Sequence, residues 1–551
     1  MRRRLASSLL ALSAILSLAA PRPGLTQASA PAPQSHADID AQADAAYRAK
    51  HYKAAIDLYR QAEGLAGDGE RGNDEYNEAC SLALMGDKAG ALAALGRAID
   101  DGWSDTKHTA GDSDLTSLHD DPKFAALLIR LTMERMMEDK RWGNAAFNTA
   151  YSENLSAADK VAGLSLLWAQ AKFGFANFWH VPDLDWDATY QSYIPQVLAT
   201  TSTEDYYKVL TRFYALLKDG HTNVYAPDQV GTRILPIRTR RIDGKVLVTE
   251  LPDPGFDAQG LKPGDEIVQI NGMPVEAYAE QNVLPYMSAS SPQDLELRGY
   301  GYALLAARPG QVLHLTVETP AGVRSEHSFT VPQSFNSSRP GFDYRKLPGN
   351  VAYVALNEFG DDTDSVEWDK HWAELSQART IIIDMRKNGG GDDGVGVHIL
   401  ATLFDKPVPA PRQESPKWVA TQRAWGNTEG VVHYPDDQVA PDPAHHFSGK
   451  VIMLTGAGTF SAAEDTVVLF ATSHRGTLIG EATGGSTGQP LLFHLPGGGV
   501  ARVCTKHDRF PDGREFVGVG VTPDIKVSPT RDDVIKGTDP VLDKAIKVAL
   551  Q

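Results

Sequence analysis

The sequence predicts a multidomain α/β protein with an N-terminal helical region, a second helical segment, an inserted β-domain and a C-terminal α/β core. Three observations predict this architecture. The chain has 551 residues, more than one hydrophobic core usually supports. Its N-terminal part is Ala-rich, with apolar residues at helical spacing. After this part, the sequence first shows alternating apolar residues, and then β-branched runs that are separated by helical stretches.

The overall composition argues against several classes of protein. Hydrophobic residues make up 42% and charged residues 22% of the chain, which is typical of globular proteins. The net charge of -17 and the lack of a long Lys/Arg block argue against a nucleic-acid partner. Away from the N-terminus, no apolar run approaches the ~20 residues of a membrane span. Cys80 and Cys504 lie in regions assigned to different domains, so we expect no disulfide framework and no Cys-based metal site, and no cofactor is implied.

Residues 1–30 have the pattern of a signal peptide. Arginines at positions 2–4 precede an apolar stretch over 5–20, and small residues suited to cleavage follow between 19 and 30. This pattern predicts an exported protein, periplasmic or secreted. An uncleaved anchor helix is the alternative, although the apolar stretch is short for a span.

The segment 37–135 is predicted to form helical hairpins. Small and apolar residues recur at one constant offset, with Ala55, Tyr59 and Ala62 followed by Ala91, Leu95 and Ala98. Gly86-Asp87 supplies a turn before the second copy. The pattern resembles a tetratricopeptide (TPR) repeat, and this resemblance implies docking of a protein partner. An ordinary Ala-rich helical domain explains the same pattern.

The segment 150–228 continues as helix and ends at a histidine. One apolar face is predicted to run along its last helix, formed by Tyr206, Tyr207, Leu210, Phe213, Tyr214 and Leu217. We expect Gly220 to end this helix in a left-handed conformation. His221 would then start the next segment and lie outside a core.

The segment 233–332 is predicted to be a small β-domain. Two turn signals, Lys262-Pro263-Gly264-Asp265 and Asn271-Gly272, bracket a short alternating strand. This block resembles the core of a PDZ domain, a domain that binds extended peptide ends by adding them to a sheet edge. The resemblance implies presentation of a peptide. An unrelated β-sandwich is the alternative.

The segment 341–551 is predicted to contain a parallel sheet with crossover helices. Three β-branched runs, Val351 to Leu356, Thr380 to Met385 and Val451 to Thr455, are separated by helical stretches. Between the last two runs, residues 405–449 carry seven prolines and little periodicity. We expect a long surface excursion there that walls a cleft.

Two strand-to-turn junctions of this last domain have the composition of a catalytic site. After the second run comes Gly389-Gly390-Gly391, where backbone N–H groups can point at an oxygen without interference from a Cβ. A phosphate-binding loop is the alternative, although the Gly-Lys-Ser/Thr ending is missing. After the third run, Ser461 precedes Ala462, Ala463 and Glu464, a good first helical turn. Its hydroxyl is therefore either a nucleophile at a helix N-terminus or a helix cap paired with Glu464.

Together these motifs resemble the tail-specific or C-terminal-processing peptidases, family S41 of the serine peptidases, nearer their tricorn-like branch. The matching segments are Asp219-Gly220-His221-Thr222, the PDZ-like block, Asp384-x-Arg386-x-Asn388-x-Gly390-Gly391, Phe460-Ser461-Ala462-Ala463-Glu464 and Gly518-x-Gly520-Val521-Thr522-Pro523-Asp524. The resemblance implies a peptidase core of the ClpP/crotonase type over 341–551. It also implies Ser461 as nucleophile, His221 as general base, and amides at Gly390 and Ala462 as oxyanion hole.

Within this family, one branch uses a lysine base placed after the serine. The equivalent stretch here, Thr483 to Thr487, has no lysine, and Ser486 has no pKa suited to base work. A histidine titrates near neutrality and can both take and return the serine proton. His221 is therefore the predicted substitute.

The residue that orients His221 is left open by the sequence. Tricorn-like enzymes use a neighbouring serine and a distant glutamate, but here Gly220 precedes the histidine and Val517 occupies the expected glutamate position. Glu515, Glu464 or a backbone carbonyl could each serve.

The resulting hypothesis is an exported serine endopeptidase that hydrolyses protein or peptide substrates through an acyl-enzyme on Ser461. The alternative is a non-catalytic protein on the same fold that binds peptides or small ligands.

Overall fold

A computed structural model describes residues 35–67, 70–335, 340–427 and 430–551. The predicted signal peptide over 1–30 lies outside the described residues. The chain divides into two compact units, one up to Gly143 and one from Asn144 onward. Among the described helices, none is long and apolar enough to cross a membrane.

The first unit is entirely helical in its described part. Its helices are α1 (His36–Arg48), α2 (Tyr52–Glu63), α3 (Arg71–Leu84), α4 (Lys88–Asp100), α5 (Thr106–Gly111) and α6 (Pro122–Trp142). The helices α1 to α4 pack in chain order, and small residues such as Ala55 and Ala91 are fully buried between them. At the predicted turn, Gly86 has a φ of 86° and the Asp87 side chain caps α4. The predicted hairpins are present, while the type of repeat stays a prediction.

The second unit mixes helices and sheets. Its helices are α7 (Ala157–Gly174), α8 (Trp186–Ala199), α9 (Thr203–Ala215), α10 (Pro254–Asp257), α11 (Val275–Asn282), α12 (Pro292–Glu296), α13 (Thr363–Lys370), α14 (Trp372–Leu375), α15 (Asp393–Ala401), α16 (Ala420–Ala424), α17 (Ala462–Ser473), α18 (Arg531–Lys536) and α19 (Pro540–Ala549). Its strands are β1 (Asn223–Tyr225), β2 (Arg233–Ile234), β3 (Arg238–Ile242), β4 (Lys245–Glu250), β5 (Glu266–Ile270), β6 (Met273–Pro274), β7 (Ala306–Ala307), β8 (Val312–Glu318), β9 (Arg324–Thr330), β10 (Phe342–Leu347), β11 (Val351–Leu356), β12 (Thr380–Asp384), β13 (Val408–Pro409), β14 (Arg412–Pro416), β15 (Val431–His433), β16 (Gln438–Val439), β17 (Lys450–Thr455), β18 (Thr477–Gly480), β19 (Pro490–Leu495), β20 (Gly499–Cys504), β21 (His507–Arg509) and β22 (Ile525–Lys526).

The central sheet has the order β10-β11-β12-β17-β18-β22. The first pair is antiparallel, and every later pair is parallel. Ile381 and Ile383 belong to the core that includes α15 and α17, whereas Ile382 belongs to the core that includes α19. A parallel strand with both faces buried reads as a continuous apolar run, and this confirms the prediction for β11, β12 and β17. Because β12 and β17 are parallel neighbours, the loops that follow them lie at the same edge of the sheet.

The β-domain is inserted between β1 and β10. Its sheet has the order β3-β4-β5-β8-β9, and β6 pairs with β5. The predicted strand is β5, which lies between turns with positive φ at Gly264 and Asn271. The inserted β-domain has its own core, to which α11 and the π-helical turn Leu297–Ala303 contribute. Its identity as a PDZ domain stays a prediction.

Helices α7, α8 and α9 form an aromatic core against a third sheet, β1-β20-β19. The predicted apolar face of α9 is fully buried. The proline-rich segment 405–449 is mostly exposed, as expected for a surface excursion, but it is not irregular throughout. Its strand β14 pairs with β21 and β15, and β13 pairs with β16.

Candidate active site

Ser461 occupies the turn between β17 and α17. Its backbone has φ 59° and ψ -134°, a conformation that costs a residue with a Cβ about 1–3 kcal/mol. The side chain makes no capping hydrogen bond to α17. The Glu464 carboxylate bonds elsewhere and does not complete a capping box. The helix-cap alternative for Ser461 is therefore wrong, and its hydroxyl is available for another contact.

His221 provides that contact. Its Nε2 lies 2.9 Å from Ser461 Oγ, although the two residues are 240 positions apart in the chain. Its Nδ1 lies 3.0 Å from Ser486 Oγ. The ring stacks on Phe460, with 4.8 Å between ring centroids. His221 is only 3% exposed, so the expectation that it lies outside a core is wrong.

The environment of His221 favours the neutral imidazole. Burial lowers its pKa well below the ordinary value of 6.5, and the positive charges of Arg502, Arg298 and Lys506 lower it further. A neutral ring can accept a proton at neutral pH, which is the state that a general base requires.

The loop that carries His221 is held by Asp219. The Asp219 carboxylate accepts hydrogen bonds from His221 N at 2.9 Å, from the Thr222 hydroxyl at 3.0 Å and from Asn177 Nδ2 at 2.9 Å. The preceding helix α9 already ends at Ala215, and the left-handed residue is Lys218 with φ 49°. The prediction that Gly220 ends the helix in a left-handed conformation is therefore wrong.

Gly220 is required for a different reason. A Cβ at this position would lie 2.7 Å from Phe460 Cζ and 3.0 Å from Asp294 Oδ2. Both distances are too short for an ordinary contact with a carbon atom. The absence of a side chain at Gly220 allows the histidine loop to approach Phe460, and hence Ser461.

The glycine loop after β12 lies directly against Ser461. Gly390 has φ 92°, and a Cβ on it would lie 2.5 Å from Ser461 Cβ and 2.9 Å from Ala462 N. The N–H of Gly390 donates to Asn388 Oδ1 at 2.9 Å, so this predicted oxyanion donor is already hydrogen-bonded. The N–H of Ala462 belongs to the first residue of α17, where a helix offers no internal acceptor.

Neither predicted orienting carboxylate contacts His221. Glu515 accepts hydrogen bonds from His507 Nε2 at 2.8 Å and Arg509 Nε at 2.5 Å. The prediction that Glu515 orients His221 is therefore wrong. Glu464 is buried, and its carboxylate accepts bonds from Gly485 N at 2.8 Å and Ser486 N at 2.7 Å, as well as from the Thr483 hydroxyl. Glu464 therefore contacts the loop that carries Ser486, and not the ring.

Burial raises the pKa of the Glu464 carboxyl to about 8, although its three hydrogen bonds favour the anion. Val517, at the position where tricorn-like enzymes have a glutamate, is fully buried in the main core.

Ser486 was not predicted as a partner of His221. The sequence drew attention to this serine only because it lies in the stretch where related enzymes carry a lysine base. The available signal was the glycine pair before it, because Gly484 allows the loop to approach the turn before α17 and Gly485 allows it to approach Val519 and Gly520. A Cβ on Gly484 would lie 2.7 Å from Phe460 Cδ2.

A segment of the inserted β-domain contacts both loops of the site. Ser290 Oγ accepts from Gly220 N at 2.9 Å, and Ser291 Oγ donates to Gly484 O at 2.6 Å. The guanidinium of Arg298 lies over the Phe460 ring at 4.8 Å. The inserted β-domain therefore touches the histidine loop, the Ser486 loop and Phe460.

Comparisons with known proteins identify relatives among peptidases. Residues 350–527 match the model of Peptidase family S41. The chain is 24% identical over 292 residues to the chloroplastic C-terminal processing peptidase of Tetradesmus obliquus, covering 52% of this chain and 58% of that protein. It is 23% identical over 384 residues to a carboxyl-terminal-processing protease of Picosynechococcus sp., covering 66% and 80%.

Among solved structures, mature CPAF resembles this fold. The TM-score is 0.58 at 16% identity, over 72% of this chain and 97% of that chain. The likeness in fold extends well beyond the matched family segment. Residues 350–527 therefore carry a domain of peptidase family S41, a family of serine-type peptidases.

Proposed function

We propose that this protein is an exported serine endopeptidase that hydrolyses peptide bonds through an acyl-enzyme on Ser461, with His221 as general base. The observation that carries the proposal is the distance of 2.9 Å between His221 Nε2 and Ser461 Oγ. This distance lies within the range in which a base can take a proton directly. The lowered pKa of His221 supports it, because the ring is then unprotonated before substrate arrives.

In the first half-reaction, Ser461 Oγ attacks the carbonyl carbon of the scissile bond while its proton passes to His221 Nε2. The tetrahedral intermediate then collapses, the C–N bond breaks, and the Nε2 proton passes to the leaving amine. The acyl group remains on Ser461 as an ester. The strained backbone of Ser461 holds Oγ beyond the helix end, towards His221.

In the second half-reaction, a water molecule attacks the ester carbon and gives one proton to His221 Nε2. The bond between the acyl carbon and Ser461 Oγ then breaks, and the proton returns from His221 Nε2 to Ser461 Oγ. The product is a peptide with a new carboxyl terminus, and the enzyme is restored.

The oxyanion of both intermediates is stabilised by backbone N–H groups next to Ser461. Ala462 is the principal donor, because its N–H lies at the N-terminus of α17, where negative charge is favoured. Gly390 is the second donor, and its N–H is shared with Asn388 Oδ1 when substrate binds. Tight apposition of the glycine loop to Ser461 supports this assignment.

The remaining parts of the proposal concern substrate and location. The named relatives process carboxyl termini, and this supports a polypeptide substrate. The inserted β-domain presents that substrate in the manner of a PDZ domain, and the N-terminal hairpins dock a protein partner in the manner of TPR helices. The arginines and the apolar stretch of the first 20 residues support export.

Hydrolysis of fluorescein-labelled casein by the purified protein tests the activity. Ser461→Ala and His221→Ala should reduce cleavage to background, while both variants still unfold in a cooperative thermal transition that shows them to be folded. Matched controls are Ser376→Ala and His398→Ala, which remove partly exposed side chains of the same types from the same domain. Both controls should cleave casein at the wild-type rate.

Cleavage that survives in both Ser461→Ala and His221→Ala would overturn the mechanism. A folded wild type that binds casein without cleaving it would favour the alternative of a non-catalytic peptide-binding protein.

A further inference from the structure

We propose that Ser486 is the positioning residue for both members of the catalytic pair. Its side chain fixes the ring of His221, and its backbone fixes Ser461. This inference rests on the proposed function. It assigns the orientation of the His221 ring to a serine, because neither Glu515 nor Glu464 contacts that ring.

Two hydrogen bonds from one residue carry the inference. Ser486 Oγ lies 3.0 Å from His221 Nδ1, and Ser486 O accepts from Ser461 N at 2.9 Å. Ser486 is fully buried, so neither bond competes with bulk water. The separation of nucleophile and base therefore depends on the position of a single residue that touches both.

The first bond suits the tautomer of His221 that the proposed function requires, because Ser486 Oγ can accept a hydrogen bond from Nδ1–H. Nε2 must be unprotonated to take the proton from Ser461, so a neutral ring carries its hydrogen on Nδ1. That N–H then donates to Ser486 Oγ, which has lone pairs to accept it. Without this acceptor, the other tautomer becomes accessible, and in that tautomer Nε2 cannot act as a base.

Glu464 anchors Ser486 from the opposite side. Its two carboxyl oxygens accept the N–H groups of Gly485 and Ser486 and contact the Thr483 hydroxyl. Glu464 lies in the first turn of α17, which begins directly after Ser461. The nucleophile and the loop that orients the base are thus tied to one helix end.

A serine differs from a carboxylate in what it does to the protonated ring. The hydroxyl is neutral, so it fixes the direction of the ring without adding a negative charge. The charged groups that face His221 are Arg298, Arg502 and Lys506, while the Asp219 carboxylate bonds to the backbone N–H of His221. The positioning is therefore geometric, and the imidazolium forms only transiently.

Two measurements on Ser486→Ala test the inference. The first is the rate at which a fluorophosphonate modifies Ser461, because this reaction needs the same proton transfer but no knowledge of the natural substrate. The second is the 15N NMR spectrum of His-labelled protein, with His221 assigned by comparison with His221→Asn. We expect a rate lower by about 2- to 13-fold, the range for loss of one neutral hydrogen bond, and mixed tautomers of His221.

Ser486→Thr keeps the hydroxyl and should keep the Nδ1–H tautomer. The matched control is Ser291→Ala, which removes a hydrogen bond to Gly484 of the same loop and the cap of α12, but no hydrogen bond to His221. Ser291→Ala should keep the wild-type tautomer, and loss of that tautomer there would mean that loop order, and not the Ser486 hydroxyl, sets it.

The inference is overturned if Ser486→Ala keeps both the wild-type rate and a single Nδ1–H tautomer. If Ser486→Ala does not fold, the 15N NMR spectrum of wild type still tests the inference, because an Nε2–H tautomer of His221 in wild type overturns it. The proposed function fails separately: wild type that is neither modified by the fluorophosphonate nor active on casein refutes the peptidase, whatever the tautomer of His221.

Discussion

Replacing Gly390 by alanine tests the contact between the glycine loop and the nucleophile. A Cβ at this position would lie 2.5 Å from Ser461 Cβ, 2.7 Å from Phe460 O and 2.9 Å from Ala462 N. Two of these three atoms are backbone, which cannot move away as the end of a flexible side chain can. The substitution must therefore displace either the glycine loop or the turn that carries Ser461.

The magnitude follows from two contributions. Gly390 has φ 92°, and a left-handed conformation costs a residue with a Cβ about 1–2 kcal/mol. Overpacking against fixed neighbours adds about 1–3 kcal/mol. We therefore expect Gly390→Ala to lower the free energy of unfolding by about 2–5 kcal/mol. A displacement of about 1 Å at the nucleophile would also slow its reaction by about 100-fold.

The assay is urea unfolding together with the rate of fluorophosphonate modification at Ser461. The adjacent Gly389 is the matched control, because a Cβ there meets no atom within 4 Å. Gly389→Ala should change the free energy of unfolding by less than about 0.5 kcal/mol and keep the modification rate. Equal stability and equal rates for Gly390→Ala and Gly389→Ala would refute the close approach of the loop to Ser461.

Three further predictions concern the same site. The pKa of His221 is lowered well below 6.5, and only the neutral ring accepts a proton. The fluorophosphonate reaction should therefore keep its full rate as the pH falls to 6.5 and slow down only at lower pH. A pH–rate profile with its midpoint at or above pH 6.5 would contradict this expectation. Ser461→Gly removes the Cβ from a residue with a positive φ. Its free energy of unfolding, measured in urea, should be about 1–2 kcal/mol higher than that of Ser461→Ala. Equal values would show that the turn is unstrained. Gly220→Ala places a Cβ 2.7 Å from Phe460 Cζ and should lower stability by about 1–3 kcal/mol and slow the fluorophosphonate reaction; wild-type behaviour in both would mean that Phe460 has room to move.

The sequence predicted the central sheet well because its strands are buried on both faces. Such strands read as uninterrupted β-branched runs, so β11, β12 and β17 are visible without an alignment. The helical hairpins were visible for a similar reason, since small residues recur where helices pack closely. The strand signal lies within single strands, and the hairpin signal recurs from α2 to α4.

Contacts between residues far apart in the chain could be predicted only where the family motifs marked both residues. The motifs singled out Ser461 and His221, and the structure brings these two side chains within hydrogen-bonding distance. No periodicity could reveal Ser486, because one hydroxyl beside a ring has no repeat, and the only signal was the glycine pair before it. Glu464 was singled out for a contact with the histidine, but it reaches backbone N–H groups, and such acceptors are not encoded by residue type.

The sequence correctly singled out Gly220 as a position that needs a glycine, but the predicted reason was wrong. The sequence suggested a helix terminator, whereas the helix ends earlier and Lys218 takes the left-handed conformation. What excludes a side chain at Gly220 is the Phe460 ring, which comes from a loop 240 positions further along the chain. Steric requirements of this kind appear only when the packed structure is known.

Peptide mapping by mass spectrometry after fluorophosphonate treatment tests most directly whether Ser461 is a nucleophile activated by His221. In wild type, the adduct should lie on Ser461 alone, and in His221→Ala it should form far more slowly. An adduct on another residue, or no adduct on Ser461 in a preparation that hydrolyses casein, would contradict the assignment.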